Sequence, residues 1–248
     1  MNLLLAAVLA AAQVLVTPVE QKFVEGETLD YTLTWLRVTG GTARMTISAP
    51  NDGSYRITSV ARSSPSFSRF FKVRDEIETT VARNDFSTLR YVKRLDEDGD
   101  QIEEVTVVEE GVATRTRKKV KKVRVSRPVF DPISLIYHLR MLDLTPGKVY
   151  EFEIIADGKV YSVSARAVRK EKVTTPAGTF NCIRVEPRMT SGGVERQERL
   201  FLWYTDDEKR LPVRIRTEVK VGAITATLRG TSAGVTSTDP PHLVEAKK

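Results

Sequence analysis

Period-two alternation is the feature that most limits what this chain can become. Leu29, Tyr31, Leu33 and Trp35 alternate with Asp30, Thr32 and Thr34, and Tyr150, Phe152 and Ile154 alternate with Glu151 and Glu153. Val213, Ile215, Val219 and Val221 share one face of a strand whose other face carries Arg214, Arg216, Glu218 and Lys220. Successive side chains of a strand point to opposite faces, so each segment buries one face and wets the other, as antiparallel sheet does. Leu200-Phe201-Leu202-Trp203-Tyr204 is apolar on both faces and should be covered on both sides.

Turn signals divide the strands. Asp52-Gly53, Asp98-Gly99 and Asp157-Gly158 tolerate the positive φ angles of tight hairpins. Gly40-Gly41, Gly111, Ser191-Gly192-Gly193 and Gly222 separate other pairs. The spacing predicts about thirteen strands, residues 112–126 being one of them. That is more than a flat open sheet tolerates. The expected fold is therefore all-β and mainly antiparallel, curved or barrel-like, with a half-barrel and two packed sheets both open.

One segment breaks the alternation. Asp131-Pro132 reads as an N-cap followed by proline in the first turn. Leu135, Ile136, Leu139 and Leu142 then form one apolar stripe at helical spacing. A single helix over 131–142 should lie across the sheet or plug one end of it.

Residues 1–12 are apolar except for Asn2 and end in Ala10-Ala11-Ala12. The run is too short to span a bilayer but suits a signal-peptide core, with cleavage after Ala12. No cysteine follows it, and no later segment could cross a membrane as a helix, so no transmembrane segment is expected. The expected organisation is a signal peptide at 1–12, an N-terminal extension at 13–25, one β-rich domain at 26–230 and a disordered tail at 231–248. The expected compartment is the Gram-negative periplasm.

Two histidines and one cysteine in 248 residues exclude an internal disulfide and a metal site built mainly of His and Cys. Cys182 sits in a strand-like apolar context and reads as core. His138 flanks the helix stripe, and His242 lies in the tail. There is no Gly-x-Ser-x-Gly elbow, no His-Glu-x-x-His, no phosphate loop and no Cys-x-x-Cys. No catalytic, cofactor or metal residue is assigned, and the chain reads as a non-enzyme. A glycosidase-type carboxylate pair is the third reading of its function, resting only on the abundance of acids.

The net charge of +7 favours anionic neighbours without choosing one. Its loudest part is the basic run Arg115, Arg117, Lys118, Lys119, Lys121, Lys122, Arg124 and Arg127. The segment 96–110 supplies eight acids, and a turn at Glu110-Gly111 would set Glu104 opposite Arg117, Glu103 opposite Lys118 and Asp100 opposite Lys121. Such pairs contribute about 0.2–1 kcal/mol each. Self-pairing is preferred over a ligand patch, and nucleic acid is not expected as a partner because no aromatics interleave the run.

Phe67, Phe70 and Phe71 interrupt the alternation and form either a core loop or an apolar lip. With Leu135, Leu139 and Arg140 of the helix they make the candidate ligand-binding set.

Several phrases, taken in order, carry a resemblance. They are Gly26-Glu27-Thr28-Leu29-x-Tyr31, Asp131-x-x-Ser134-x-x-Tyr137-x-Leu139-Arg140 and Pro146-Gly147-Lys148. Glu171-x-Val173-x-Thr175-Pro176-Ala177-Gly178-Thr179-Phe180 and Trp203-x-x-Asp206-x-x-x-Arg210-x-Pro212-Val213 follow. Over about residues 24–230 the chain resembles the bacterial domain-of-unknown-function family 3108, a set of exported envelope proteins. The resemblance implies a periplasmic β-rich protein and carries no catalytic residues with it.

Two functions are expected to compete. The first is binding of an apolar or amphiphilic envelope component, such as a lipid, lipopolysaccharide or lipidated protein. The second is a scaffold that pairs with another envelope protein through exposed strand edges.

Overall fold

The computed structural model describes residues 22–50, 52–126, 128–195, 199–219 and 221–232. The expected signal peptide and cleavage site, residues 13–21 of the expected extension, His242 and residues 233–248 lie outside the described residues.

The strands are β1 (Thr28–Trp35), β2 (Val38–Ser48), β3 (Ser54–Ser63), β4 (Arg74–Ala82), β5 (Thr88–Glu97) and β6 (Asp100–Glu109). Then come β7 (Val112–Thr116), β8 (Val120–Arg124) and the two-residue β9 (Val129–Phe130), followed by the helix α1 (Pro132–Arg140). The rest are β10 (Val149–Ala156), β11 (Lys159–Thr175), β12 (Gly178–Ser191), β13 (Val194–Glu195), β14 (Leu200–Thr205), β15 (Pro212–Glu218) and β16 (Ala223–Thr231).

All of them join one sheet in the order β8-β7-β6-β5-β4-β3-β2-β1-β16-β15-β14-β12-β11-β10-β9, with β13 attached to β12. Every pairing is antiparallel except that of β9 with β10. The all-β, mainly antiparallel, curved architecture is present, as a single sheet rather than two.

Among the described residues the sheet does not close by backbone pairing. It rolls past itself. Alternation puts Ile154 in the main core and Ile155 on the opposite, convex face of β10, where Val129 and Val160 join it. Against that convex face pack Val108, Ala113 and Val123, which lie on the concave face of β6, β7 and β8. The overlap is sealed by Ser126 N–H donating to Glu153 at 2.9 Å. Gly158, at φ +66, is required there: a Cβ would stand 2.7 Å from Arg115 Cδ.

The segment 112–126 is two strands, not one. The β6–β7 register agrees with the expected one, Val105 facing Thr116 and Glu109 facing Val112, but pairing stops there. The chain turns at 117–119 and β8 returns along β7, setting Lys121 opposite Arg115. The fold-back places Val123 opposite Ala113, inside the overlap cluster. An extended strand would have left Val123 unburied, so apolar burial outweighs the charge pairing.

Helix α1 plugs the end of the roll near Glu27. The Asp131 side chain accepts the N–H groups of Ile133 at 2.8 Å and Ser134 at 3.0 Å, and Ser134 Oγ accepts the N–H of Asp131 at 2.8 Å. This reciprocal cap satisfies donors that the first turn leaves free. The helix packs on β3, β4, β9 and β10. Of the extension, Phe23 is core: its ring lies edge-on to Tyr55, Phe86 and Tyr137.

The outer face of β14 is covered without a second layer. Phe201 and Trp203 are only 7% and 8% exposed. Arg184 lies over both rings, Arg199 over Phe201 and Arg214 over Trp203, at 5.0–5.9 Å from the ring centroids. Guanidinium planes act here as the covering apolar surface.

Candidate functional site

The two ends of the roll differ in how far they are filled. At the helix end, Tyr31, Phe130, Tyr137, Leu139, Phe180 and Tyr204 are fully buried. Tyr31 donates to the Pro212 carbonyl at 2.8 Å and Tyr204 to the Ile136 carbonyl at 3.0 Å. Burial pushes all three tyrosine hydroxyls above their ordinary pKa. Arg140, 0% exposed, forms a bidentate pair with Glu27 at 2.5 and 3.0 Å and donates to the carbonyls of Lys22 and Lys209. Asp131 also accepts the hydroxyls of Thr79 and Thr88, at 2.5 and 2.7 Å.

Toward the other end, burial on the concave face declines along β1–β4 and β16, while Tyr161 and Val163 of β11 stay buried. Leu33 follows Leu29 and Tyr31 in the alternation of β1, yet it is only half-buried where they are fully buried. The same holds for Ala43 beyond Met45, Ala61 beyond Ile57, Ile77 beyond Thr79, and Ala226 beyond Leu228. The register sets these residues side by side: Leu33 faces Ala226, Ala43 faces Ala61, and Ala226 faces Ile215. The result is a partly exposed stretch of the concave face, which we call the mouth, lined mostly by small or aliphatic side chains with Ser59 among them. Ala43, Ile215 and Ala226 pack at their inner side against the main core. Its principal acid is Asp75, opposite Ala61. Burial, and then the Glu97 and Asp96 carboxylates, push the Asp75 carboxyl up to about 6, although its acceptance of the Asp96 N–H works the other way.

The rim of the mouth carries Phe67, Phe70 and Phe71 in the connection between β3 and β4. Phe67 is half-buried against Trp35, centroid to centroid 6.3 Å, and against Gly40, where a Cβ would lie 3.6 Å from the ring. Phe70 is 83% exposed and Phe71 41%. The six candidate residues thus occupy two separate places. Leu135, Leu139 and Arg140 belong to the filled plug, and the three phenylalanines to the rim.

A third cluster lies at the overlap. Glu104, 2% exposed, faces Lys93 in the β5–β6 register and pairs with Arg115 at 2.5 Å, while Lys93 also reaches Asp157 of the β10–β11 turn. The expected partner of Glu104, Arg117, is displaced by the turn after β7. Glu103 instead stands 3.5 Å from Arg94.

His138 lies tilted against Phe130, centroid to centroid 4.5 Å, and is edge-on to Phe152. Burial lowers its pKa against the opposing pull of a backbone hydrogen bond at Asp85. The Cys182 thiol is fully buried and pushed up to about 12 by burial. Among the described residues no three His, Cys, Asp or Glu side chains are gathered as a metal site requires, and no helix is long and apolar enough to cross a membrane.

Sequence reasoning missed the mouth. Its signal was present in the small residues Ala43, Ala61 and Ala226 at inward positions, where a filled barrel would use large ones.

A family described as "Protein of unknown function (DUF3108)" matches residues 30–229. No curated protein matches the chain. Among solved structures, the β-barrel-like DUF1849 protein of Brucella abortus is similar at 11% identity and a TM-score of 0.62, over 86% of this chain and 100% of that one. A protein of YmcC-like fold from Bacteroides fragilis, described as exported, matches at 13% identity and a TM-score of 0.33, over 84% of this chain and 96% of that one. A protein of Parabacteroides distasonis described as a lipoprotein matches at 13% and 0.36, with the same shares covered.

Proposed function

The chain belongs to the DUF3108 family, and on that premise we propose that it is a non-enzymatic protein of the Gram-negative periplasm that binds an acyl-bearing amphiphile in its mouth. The observation that carries this reading is the partly exposed concave face of Leu33, Ala43, Ala61, Ile77, Ile215 and Ala226. A ligand site of this kind is concave and mainly apolar, with few polar groups. An acyl chain lying along the face would remove those side chains from water at about 25 cal/mol per Å². Exposed Arg37, Arg69 and Lys72 at the rim would meet an anionic headgroup. Binding rather than catalysis is supported by the state of the buried charges. Glu27, Glu104 and Asp131 are each held by structural partners, which leaves Asp75 as the principal acid facing the mouth. Among the described residues no second carboxylate stands beside Ala61 in the register to form a hydrolytic pair. The apolar run of residues 1–12 supports export.

A dansyl-labelled fatty acid tests the reading. The full chain should enhance its fluorescence saturably at one probe per chain, and Ala61→Phe, which fills the mouth, should abolish the enhancement while the melting temperature holds. Equal enhancement by wild type and Ala61→Phe would overturn it.

A further inference from the structure

Nine of the eleven large apolar side chains exposed among the described residues lie at the end of the roll remote from α1. Seven of them occupy three tips. Trp35, Leu36 and Val38 form the β1–β2 turn, Phe70 and Phe71 the β3–β4 connection, and Val221 and Ile224 the β15–β16 turn. Strands β3, β2, β1, β16 and β15 are consecutive in the sheet, so the three tips are neighbours on one rim. Segments 35–38, 64–73 and 219–222 contain no Asp or Glu, while Arg37, Arg69 and Lys72 are exposed there. Acids flank the tips rather than sit on them: Glu218 precedes Val219 and faces Ala223, Asp75 follows two residues after Val73, and Asp98 accepts the backbone N–H of Lys72 at 3.2 Å.

These tips are built, not loose. Trp35 Nε1 donates to the Val221 carbonyl at 2.9 Å, tying the first tip to the third. A Cβ at Gly222 would stand 2.4 Å from Leu36 Cδ2, so the third tip is shaped around Leu36. Leu36 and Arg37 occupy both central positions of a two-residue hairpin turn at φ 49° and 68°. That turn favours Asn-Gly, and a leucine held there is strained. Strain of this kind persists where the side chain has a task.

We propose that the three tips form a foot that docks on the surface of an anionic bilayer. The apolar side chains enter the boundary between headgroups and acyl chains, and Arg37, Arg69 and Lys72 meet lipid phosphate. Docked this way, the mouth opens directly onto the lipid. The foot and the mouth share the rim cations Arg37, Arg69 and Lys72 but not their apolar side chains, so the Phe70→Ser, Phe71→Ser pair and Ala61→Phe test them separately.

Flotation of the full chain with phosphatidylglycerol–phosphatidylethanolamine vesicles tests the foot. Wild type should float with them, and less so at high salt, but should not float with phosphatidylcholine vesicles. Replacing Phe70 and Phe71 together with serine removes two exposed rings, so the melting temperature should hold while vesicle affinity falls ~10-fold or more. Ala61→Phe should lose the dansyl fatty acid and still float. Three results would overturn the proposal: no flotation by wild type, equal flotation with phosphatidylcholine, or undiminished flotation of the Phe70→Ser, Phe71→Ser variant. The last result, joined to loss of flotation in Lys118→Glu, Lys119→Glu, would assign membrane contact to the basic run instead.

Discussion

Arg140 on the helix and Glu27 just ahead of β1, 113 positions apart, form a bidentate ion pair with neither side chain more than 1% exposed. The guanidinium also takes two backbone carbonyls and lies against the rings of Phe23 and Tyr137. It therefore joins the N-terminal segment, the helix and the β14–β15 turn in one contact.

Breaking that pair from one side leaves a buried charge without its partner. Arg140→Met should cost about 3–5 kcal/mol in urea unfolding, and Glu27→Gln somewhat less. The double variant should lose clearly less than the sum of the two. Additive losses would mean that the residues contribute independently.

The overlap charges reverse an expectation drawn from sequence. Lys121 faces Arg115, a like charge, so Lys121→Glu should leave stability unchanged or raise it by a few tenths of a kcal/mol. Glu104→Gln removes the anion shared by Lys93 and Arg115 and should cost about 3 kcal/mol. Thermal melts of the two variants should move in opposite directions, or only the second should move.

Asp75 makes the mouth sensitive to pH. Its folded pKa of about 6 exceeds the unfolded value, so the folded chain holds the proton more tightly. Its contribution is most favourable below about pH 4, is lost as pH rises to about 6, and is flat above. Asp75→Asn keeps an oxygen for the Asp96 N–H and should remove this slope. At pH 7–8 it should stabilise by about 1 kcal/mol, allowing for solvent screening at a half-exposed site. An unchanged stability profile from pH 4 to 7 would contradict the assignment.

Much of this fold could be read from the chain. Alternation located most strands, and Asp131-Pro132 located the helix start. Phrases that carry the family resemblance prove to be partners in space: Glu27 holds Arg140, Glu171 accepts from Trp203 Nε1, and Asp206 pairs with Arg210. What could not be read depends on long-range placement. Residues 112–126 look like one strand until Val123 is seen to need Ala113. The covering of Phe201 and Trp203 by arginines leaves no periodic signal. The stripe of Leu135 and Leu139 looks the same whether a helix caps a cavity or fills a core, so sequence alone groups these residues with Phe67, Phe70 and Phe71.

The strained tip offers a separation of stability from use. Leu36→Asn with Arg37→Gly supplies the residues that the turn favours, so the melting temperature should rise, by about 1 kcal/mol of stability. The same change removes an apolar and a cationic member of the foot, so vesicle flotation should fall. A variant that gains stability and floats as well as wild type would show the strain to be idle.

Trp35 stands at the rim of the mouth, and Trp203 is the only other tryptophan of the chain. In a Trp203→Phe background, titration with a fatty acid brominated along its chain, below its micelle concentration, reports on the mouth directly. Saturable quenching of Trp35 at one ligand per chain, abolished by adding Ala61→Phe, is the expected result. Absent quenching, or quenching that Ala61→Phe leaves intact, would contradict an acyl chain in the mouth.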